Sequence, residues 1–247
     1  MNFVIGDIHG EVTKLYHLLE FLQREDTIPR FIFIGDYVDK GEDSKAVLEL
    51  VDRIARDQPA HTFLRGNHEY MWERALTGNA EARDYLRKYG GLTTAEDFGM
   101  KSISTAAKSV RAAGENLFRR LVNYAIVEGC FISHAGIDGT YANRTLEEIP
   151  EEAFLFNRYP FIQSTRRYFG CKQSVFGHTG FYSPYRDEYK IGIDTAAAYL
   201  RRQPLTAYCT TNDRFYTSTG TVYALPTDEI TSCPVIPRVS PYRLIHQ

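Results

Sequence analysis

The sequence predicts an α/β protein in which strands pack between layers of helix. Three observations carry this. The first third alternates strand and helix patterns as β-α-β-α-β-α. A helical middle is followed by a second group of strand patterns. Each of five apolar runs ends abruptly in Gly, Asp, Asn or His.

The elements follow in order. The first strand is expected at about 2–6 and ends in Gly6-Asp7-Ile8-His9-Gly10. The helix after it shows one apolar face of Val12, Leu15, Leu18, Leu19 and Leu22. "RFIFIG" (30–35) reads as a second buried strand. Ser44 is expected to N-cap the next helix, whose face is Val47, Leu48, Val51 and Ile54. "HTFLRG" (61–66) reads as a third strand, with helix from Met71 onward. The stretch 71–123 is helical in pattern, broken at Gly90-Gly91 and Gly99. Strand patterns resume at 125–133, 174–177, 189–194, 205–210 and 214–219. From about 226 the chain carries Pro226, Pro234, Pro237 and Pro241, and irregular surface structure is expected.

The bulk composition excludes several function classes. The chain has 247 residues, 43% hydrophobic and 24% charged, enough for a full core. A net charge of -2 gives no global basic field for nucleic acid or membrane. No apolar run is long enough for a membrane span, and no signal peptide is expected. Cys130, Cys171, Cys209 and Cys233 form no C-x-x-C pair, so buried free thiols and a cytoplasmic location are expected.

The strand ends carry the chemistry. After the second strand comes GDYVDKG (35–41), and after the third RGNHE (65–69). HAG (134–136) and GHTG (177–180) end two of the later strands. Ligands in open α/β sheets sit at the carboxyl ends of strands, so Asp7, His9, Asp36, Asn67, His134 and His178 should share one rim. Carboxylate, amide oxygen and imidazole together suit two ions of Mn, Fe, Zn or Ni. Asp7 and His9, two residues apart on an extended strand end, face the same side and can clamp one ion. Of the seven histidines only His17 and His246 lie away from these segments, and His61 is expected simply to start a strand.

The ordered set GDIHG, GDYVDKG, RGNHE, HAG and GHT closely resembles the metal-dependent serine/threonine phosphoprotein phosphatases, within the calcineurin-like metallophosphoesterases. The form is similar to the compact bacterial and bacteriophage lambda type. The resemblance implies a calcineurin-like sandwich, β-sheets flanked by helices, as one domain over 1–247. It implies that Asp7, His9 and Asp36 hold the first metal, and that Asp36, Asn67, His134 and His178 hold the second, with manganese the expected ion. His68 would be the general acid and Asp39 its orienting carboxylate. Arg65 and Arg158 (in "FNRYP") would bind phosphate. The segment YGGLTTAEDFG (89–99) also resembles a family segment, but no chemistry follows from it.

Two departures stand out. Lys40 replaces the family's usual arginine, and Ala196 stands where relatives commonly have glycine. Lysine is a point charge without arginine's bidentate fork, but Lys40 is still expected to contact the substrate phosphate. The implied reaction is hydrolysis of a phosphomonoester, chiefly phosphoserine or phosphothreonine in proteins, by direct attack of a metal-bridging hydroxide. No cysteine lies in a C-x5-R loop, so a thiol nucleophile is not indicated. One alternative is hydrolysis of a dinucleoside polyphosphate such as diadenosine tetraphosphate. Relatives of that kind often read G-N-H-D, whereas this chain reads G-N-H-E. The other alternative, an inactive binding module, would be expected to have lost ligands that are all present here.

Overall fold

A computed structural model describes residues 1–227. Cys233 and the prolines at 234, 237 and 241 lie outside the described residues. The described residues form two sheets. The first has seven strands: β1 (Asn2–Ile5), β2 (Arg30–Phe33), β3 (Thr62–Leu64) and β4 (Leu121–Val122), with β10 (Thr206–Cys209), β11 (Arg214–Thr217) and β12 (Val222–Tyr223). Its order is β12-β11-β10-β1-β2-β3-β4. β1 to β4 run parallel, and β10 joins β1 antiparallel. The second sheet contains β5 (Tyr124–Val127), β6 (Cys130–Ser133), β7 (Gln173–Phe176), β8 (Tyr185–Arg186) and β9 (Lys190–Gly192), in the order β5-β6-β7-β9-β8.

Strand alternation explains the layering. Along β1 and β2, Phe3, Ile5, Phe31 and Phe33 face the helices α1 (Val12–Glu25) and α2 (Ser44–Asp57). Val4, Ile32 and Ile34 face the other way and meet Ile132, Val175 and Ile191 of the second sheet. The far side of that sheet is covered through Phe131 and Phe176, packed against Phe154, Phe161 and Tyr168. The parallel strands β1, β2 and β3 end near β6 and β7, which are parallel to each other. The predicted sheet-and-helix sandwich is therefore present.

Three local readings need correction. Asp43, not Ser44, caps α2: its carboxylate accepts from the Ala46 N–H at 2.8 Å. Ser44 is already helical, and its hydroxyl instead accepts from the Asp39 N–H. The helix expected from Met71 begins at Asn67, as α3 (Asn67–Leu76). Gly66 precedes it and donates its N–H to the Glu69 carboxylate at 3.1 Å, which satisfies a group the helix start would orphan. The run 125–133 is a hairpin, with Glu128 (φ 49°) and Gly129 (φ 74°) in its turn. The helical middle comprises α4 (Ala80–Lys88), α5 (Gly91–Asp97), α6 (Ile103–Ala113) and α7 (Glu115–Arg120). Among the described residues no helix is long and apolar enough to cross a membrane.

Candidate active site

The site begins with backbone placement. Among the described residues, five of the nine non-glycine residues with positive φ are His9, Asp36, Asp39, Lys40 and His178. Each such conformation costs about 1–2 kcal/mol, and its clustering here marks a site that the fold holds against local preference. The 35–37 loop is anchored by Glu69, whose carboxylate accepts from the N–H groups of Asp36 (2.9 Å), Tyr37 (2.9 Å) and Gly66 (3.1 Å). Gly35 is required there: at φ 106° a Cβ would stand 2.5 Å from the Gly66 nitrogen.

Asp36 is central to the predicted ligands, with His9, His134 and His178 gathered around it; Asp7 falls in neither tight group of ligand atoms, and His68 stands beside His9 and Asp36 instead. Asp36 Oδ2 lies 3.2 Å from His9 Nε2 and its Oδ1 lies 3.4 Å from His134 Nε2. Ligand atoms of His9, Asp36 and His68 lie within 4.8 Å of one another, as do those of Asp36, His134 and His178. Asp7 Oδ2 accepts from the His178 N–H at 2.9 Å, and its Oδ1 is buried with no hydrogen-bond partner. His9 Nδ1 donates to the Val38 carbonyl at 2.8 Å and His134 Nδ1 to that of Ile34 at 3.0 Å. A carbonyl only accepts, so in each ring Nδ1 carries the proton and Nε2 is the nitrogen turned inward. His134 Nε2 then faces Asn67 Oδ1, another acceptor, at 2.9 Å. Lone pairs facing lone pairs, beside an orphaned carboxylate oxygen, are the arrangement a bound cation resolves. The residues present fit divalent metal ions.

The electrostatics agree with this. Burial raises the Asp7 carboxyl well above the usual range, and Asp194 and Asp36 add to the rise. Burial also works to raise Asp36, but His134, His68 and His9 around it hold it well below. Burial lowers His134, and burial with Arg158 lowers His178 well below the usual imidazole value, so both offer neutral ligand nitrogens.

Beside the cluster is a dyad. His68 Nδ1 lies 2.5 Å from Asp39 Oδ2. Asp39 Oδ1 in turn accepts from Trp72 Nε1 (3.0 Å) and the Thr94 hydroxyl (2.6 Å). The His68 Nε2 is thereby the atom left for proton transfer, 3.9 Å from Asp36 Oδ2. Burial, with Lys40 next, pushes the His68 imidazole down to about 4, against the pull of Asp36 and Asp39.

The predicted phosphate binders are distributed around the cluster. Lys40 Nζ lies 2.7 Å from His9 Nε2 and 4.5 Å from the ring centre of Tyr199. Arg158 Nη1 donates to the Thr179 hydroxyl at 3.3 Å, next to His178. Arg65 is engaged elsewhere, paired with Glu73 at 3.3 Å and with Glu151. Sequence reasoning missed several residues here. Asp194 is buried just beyond β9, so it repeats the strand-end habit and could have been found that way. Thr94 and Gly90 give the 89–99 segment a function: Thr94 also accepts from the Asp39 N–H at 3.0 Å. Gly90, at φ 102°, leaves room for Lys40, whose nitrogen and Cγ a Cβ would meet at 2.8 Å. Nothing in the sequence pattern announces either contact. His61 has the expected structural place, its Nδ1 accepting from the Phe31 N–H at 3.2 Å.

Comparison with known proteins follows the same lines. The profile of the calcineurin-like phosphoesterase family matches residues 3–210. An asymmetrical bis(5'-nucleosyl)-tetraphosphatase of Oceanobacillus iheyensis is 27% identical over 225 residues, covering 83% of this chain and 86% of that protein. The serine/threonine-protein phosphatase 2 of Escherichia coli is 41% identical, but over 69 residues, 28% of this chain and 29% of that one. Among solved structures, a cold-active protein-tyrosine phosphatase of a psychrophilic Shewanella superposes with a TM-score of 0.59 at 15% identity, covering 91% of this chain and 80% of that chain. A metallophosphoesterase from Sphaerobacter thermophilus gives 0.52 at 15% identity, covering 92% of this chain and 88% of that chain. At such identities these two structures bear on the fold alone.

Proposed function

This chain belongs to the calcineurin-like phosphoesterase family, and from that premise we propose that it hydrolyses phosphoserine and phosphothreonine in proteins, using two divalent ions. The His68–Asp39 dyad is the observation that carries this reading. A serine or threonine alkoxide is a poor leaving group and needs a proton as it departs. A positioned acid is worth about 10²–10⁴ in rate for such a step. Asp39 fixes the ring through Nδ1, and Trp72 and Thr94 fix Asp39, so Nε2 is held for donation. An arriving phosphate dianion adds negative charge beside His68 and favours the imidazolium that donation requires.

Asp7, His9 and Asp36 would hold the first ion, Asp7 by the carboxylate oxygen that has no hydrogen-bond partner, and Asp36, Asn67, His134 and His178 would hold the second, with manganese suited to this oxygen and nitrogen donor set. The ions supply a water of lowered pKa and neutralise phosphoryl charge. Arg158 and Thr179 bind and orient the phosphate; Lys40 joins them once its ammonium leaves His9 Nε2 to the ion, and Arg65 once it is released from its carboxylates. The buried, unpaired thiols of Cys130, Cys171 and Cys209 support a reducing, cytoplasmic location.

A second reading has its own support. The bis(5'-nucleosyl)-tetraphosphatase relative matches over most of both lengths, which favours a dinucleoside tetraphosphate as substrate. Here the leaving group is a nucleotide phosphate and needs little help from an acid. Phosphate release from a phosphoserine peptide by manganese-loaded enzyme, beside nucleotide release from diadenosine tetraphosphate, separates the two. His68→Asn should slow the peptide reaction strongly and an aryl phosphate much less. Faster turnover of the dinucleotide, unaffected by His68→Asn, would favour the second reading.

A further inference from the structure

Lys40 and the first ion need the same atom. The Lys40 ammonium lies 2.7 Å from His9 Nε2. An ammonium donates three hydrogen bonds and accepts none, so Nε2 is the acceptor of this contact. His9 Nδ1 is spent on the Val38 carbonyl at 2.8 Å, which leaves Nε2 as the ring's one ligand atom. A nitrogen with one lone pair serves one partner. The second site differs: His134 Nε2 faces Asn67 Oδ1 at 2.9 Å, an oxygen and not a cation. Lys40 is also held where it stands. Its ammonium lies over the Tyr199 ring, 4.5 Å from the centre. Its backbone is at φ 74°, and Gly90 packs so closely that a Cβ there would meet the Lys40 nitrogen and Cγ at 2.8 Å.

We propose that Lys40 is a built-in competitor of the first metal ion: its ammonium takes the His9 Nε2 lone pair, so that ion must displace it, and the second site fills before the first. The proposal rests on the two-metal reading given above. Displacement leaves the ammonium beside the Tyr199 ring and available to phosphate, so the first ion and a phosphate-binding charge become ready together. The departure from arginine at this position has a reason in this scheme. A guanidinium spreads its charge over a wide planar fork, whereas an ammonium is a point donor that suits a single lone pair.

The test follows zinc binding by metal-free protein, with calorimetry for the affinities and nitrogen NMR of the histidine rings for the order. A ring nitrogen that takes a metal shifts its resonance, and zinc, with its filled d shell, leaves neighbouring rings visible. In the wild type the His134 and His178 signals should change with the first equivalent and that of His9 with the second. Lys40→Met keeps an unbranched stem and removes the donor, and the signals of His17 and His61, away from the site, report that the variant is folded. The substitution should move the His9 Nε2 signal before any zinc is added. It should tighten the ion at His9 by at least about 10-fold, the worth of a hydrogen bond to a charged group, and the ion at His134 and His178 much less. Unchanged or weaker binding at His9 would overturn the proposal, as would a wild-type His9 signal that changes with the first equivalent. An equal gain at both sites, or a His9 signal unmoved by the substitution, would mean that the lysine acts only through its charge and would overturn it too. All of these leave the two-metal reading intact. One ion per chain in the wild type and in Lys40→Met alike would overturn the two-metal reading and the proposal together.

Discussion

Replacing Glu69 by aspartate converts this chain's G-N-H-E to the G-N-H-D that the family resemblance associates with dinucleotide cleavage, and the structure predicts an outcome that the motif would not. Glu69 is 0% exposed and faces backbone, not the cleft. Its Oε2 serves the N–H groups of Asp36 and Gly66, and its Oε1 serves that of Tyr37. A side chain one methylene shorter cannot keep both oxygens in place. If it retains the Oε2 contacts, the Tyr37 N–H is orphaned, and a buried unsatisfied donor costs about 1–3 kcal/mol. Losing the Oε2 contacts instead orphans two donors and roughly doubles that cost. Glu69→Asp should therefore lose about 1–3 kcal/mol in urea unfolding, with the slope unchanged. It should also bind metal more weakly, because Asp36 sits on the loosened loop. The ratio of kcat/KM for phosphopeptide to that for diadenosine tetraphosphate should stay within about two-fold, since no substrate contact changes. A shift of that ratio by about ten-fold, equivalent to 1.4 kcal/mol, with stability intact would refute the reasoning.

Two further outcomes follow from particular contacts. Glu151 pairs with Arg65, and on the proposal that Arg65 binds substrate phosphate it would compete with the substrate. A partly exposed pair of this kind is worth about 0.2–1 kcal/mol, so Glu151→Gln should lower KM for phosphomonoesters by up to about five-fold with little change in kcat. Steady-state kinetics showing an unchanged or higher KM would contradict this. His61 is held down to about 4 by burial, with Arg120 and Arg30 adding, against an ordinary value of 6.5. Between pH 6.5 and about 4 the unfolded chain therefore binds a proton that the folded chain refuses, so stability is full above that window and lost as pH falls through it. His61→Gln should flatten this decline in urea midpoints, and an equally steep decline would assign it to other groups.

Much of the site is legible in the sequence because strand ends have a simple grammar. Apolar runs such as Phe31–Ile34 must be buried, and the polar residue that ends each run must stand at the sheet's rim. Asp7, Asp36, His134 and His178 follow from that rule, and Asp194 would have followed had it been applied at β9. What supports the rim is not legible. Trp72, Thr94, Tyr85 and Glu69 reach the ligands and the dyad across long separations in sequence, from helices whose periodicity reports only which face is buried. The diversion of Arg65 to Glu151 depends on a stretch of short 3₁₀ turns at 139–154, which has no period to read. Lysine at 40 fits for a reason invisible in its own motif, since Gly90 provides the space beside it.

The central claim is that Asp36 bridges two divalent ions in a phosphoester hydrolase. Elemental analysis of active, manganese-loaded enzyme, with Asp36→Asn in parallel, tests it most directly. Two ions per chain in the wild type, and loss from both sites in Asp36→Asn, is the predicted result. One ion or none in fully active enzyme, or an Asp36→Asn protein that keeps both ions, would contradict it.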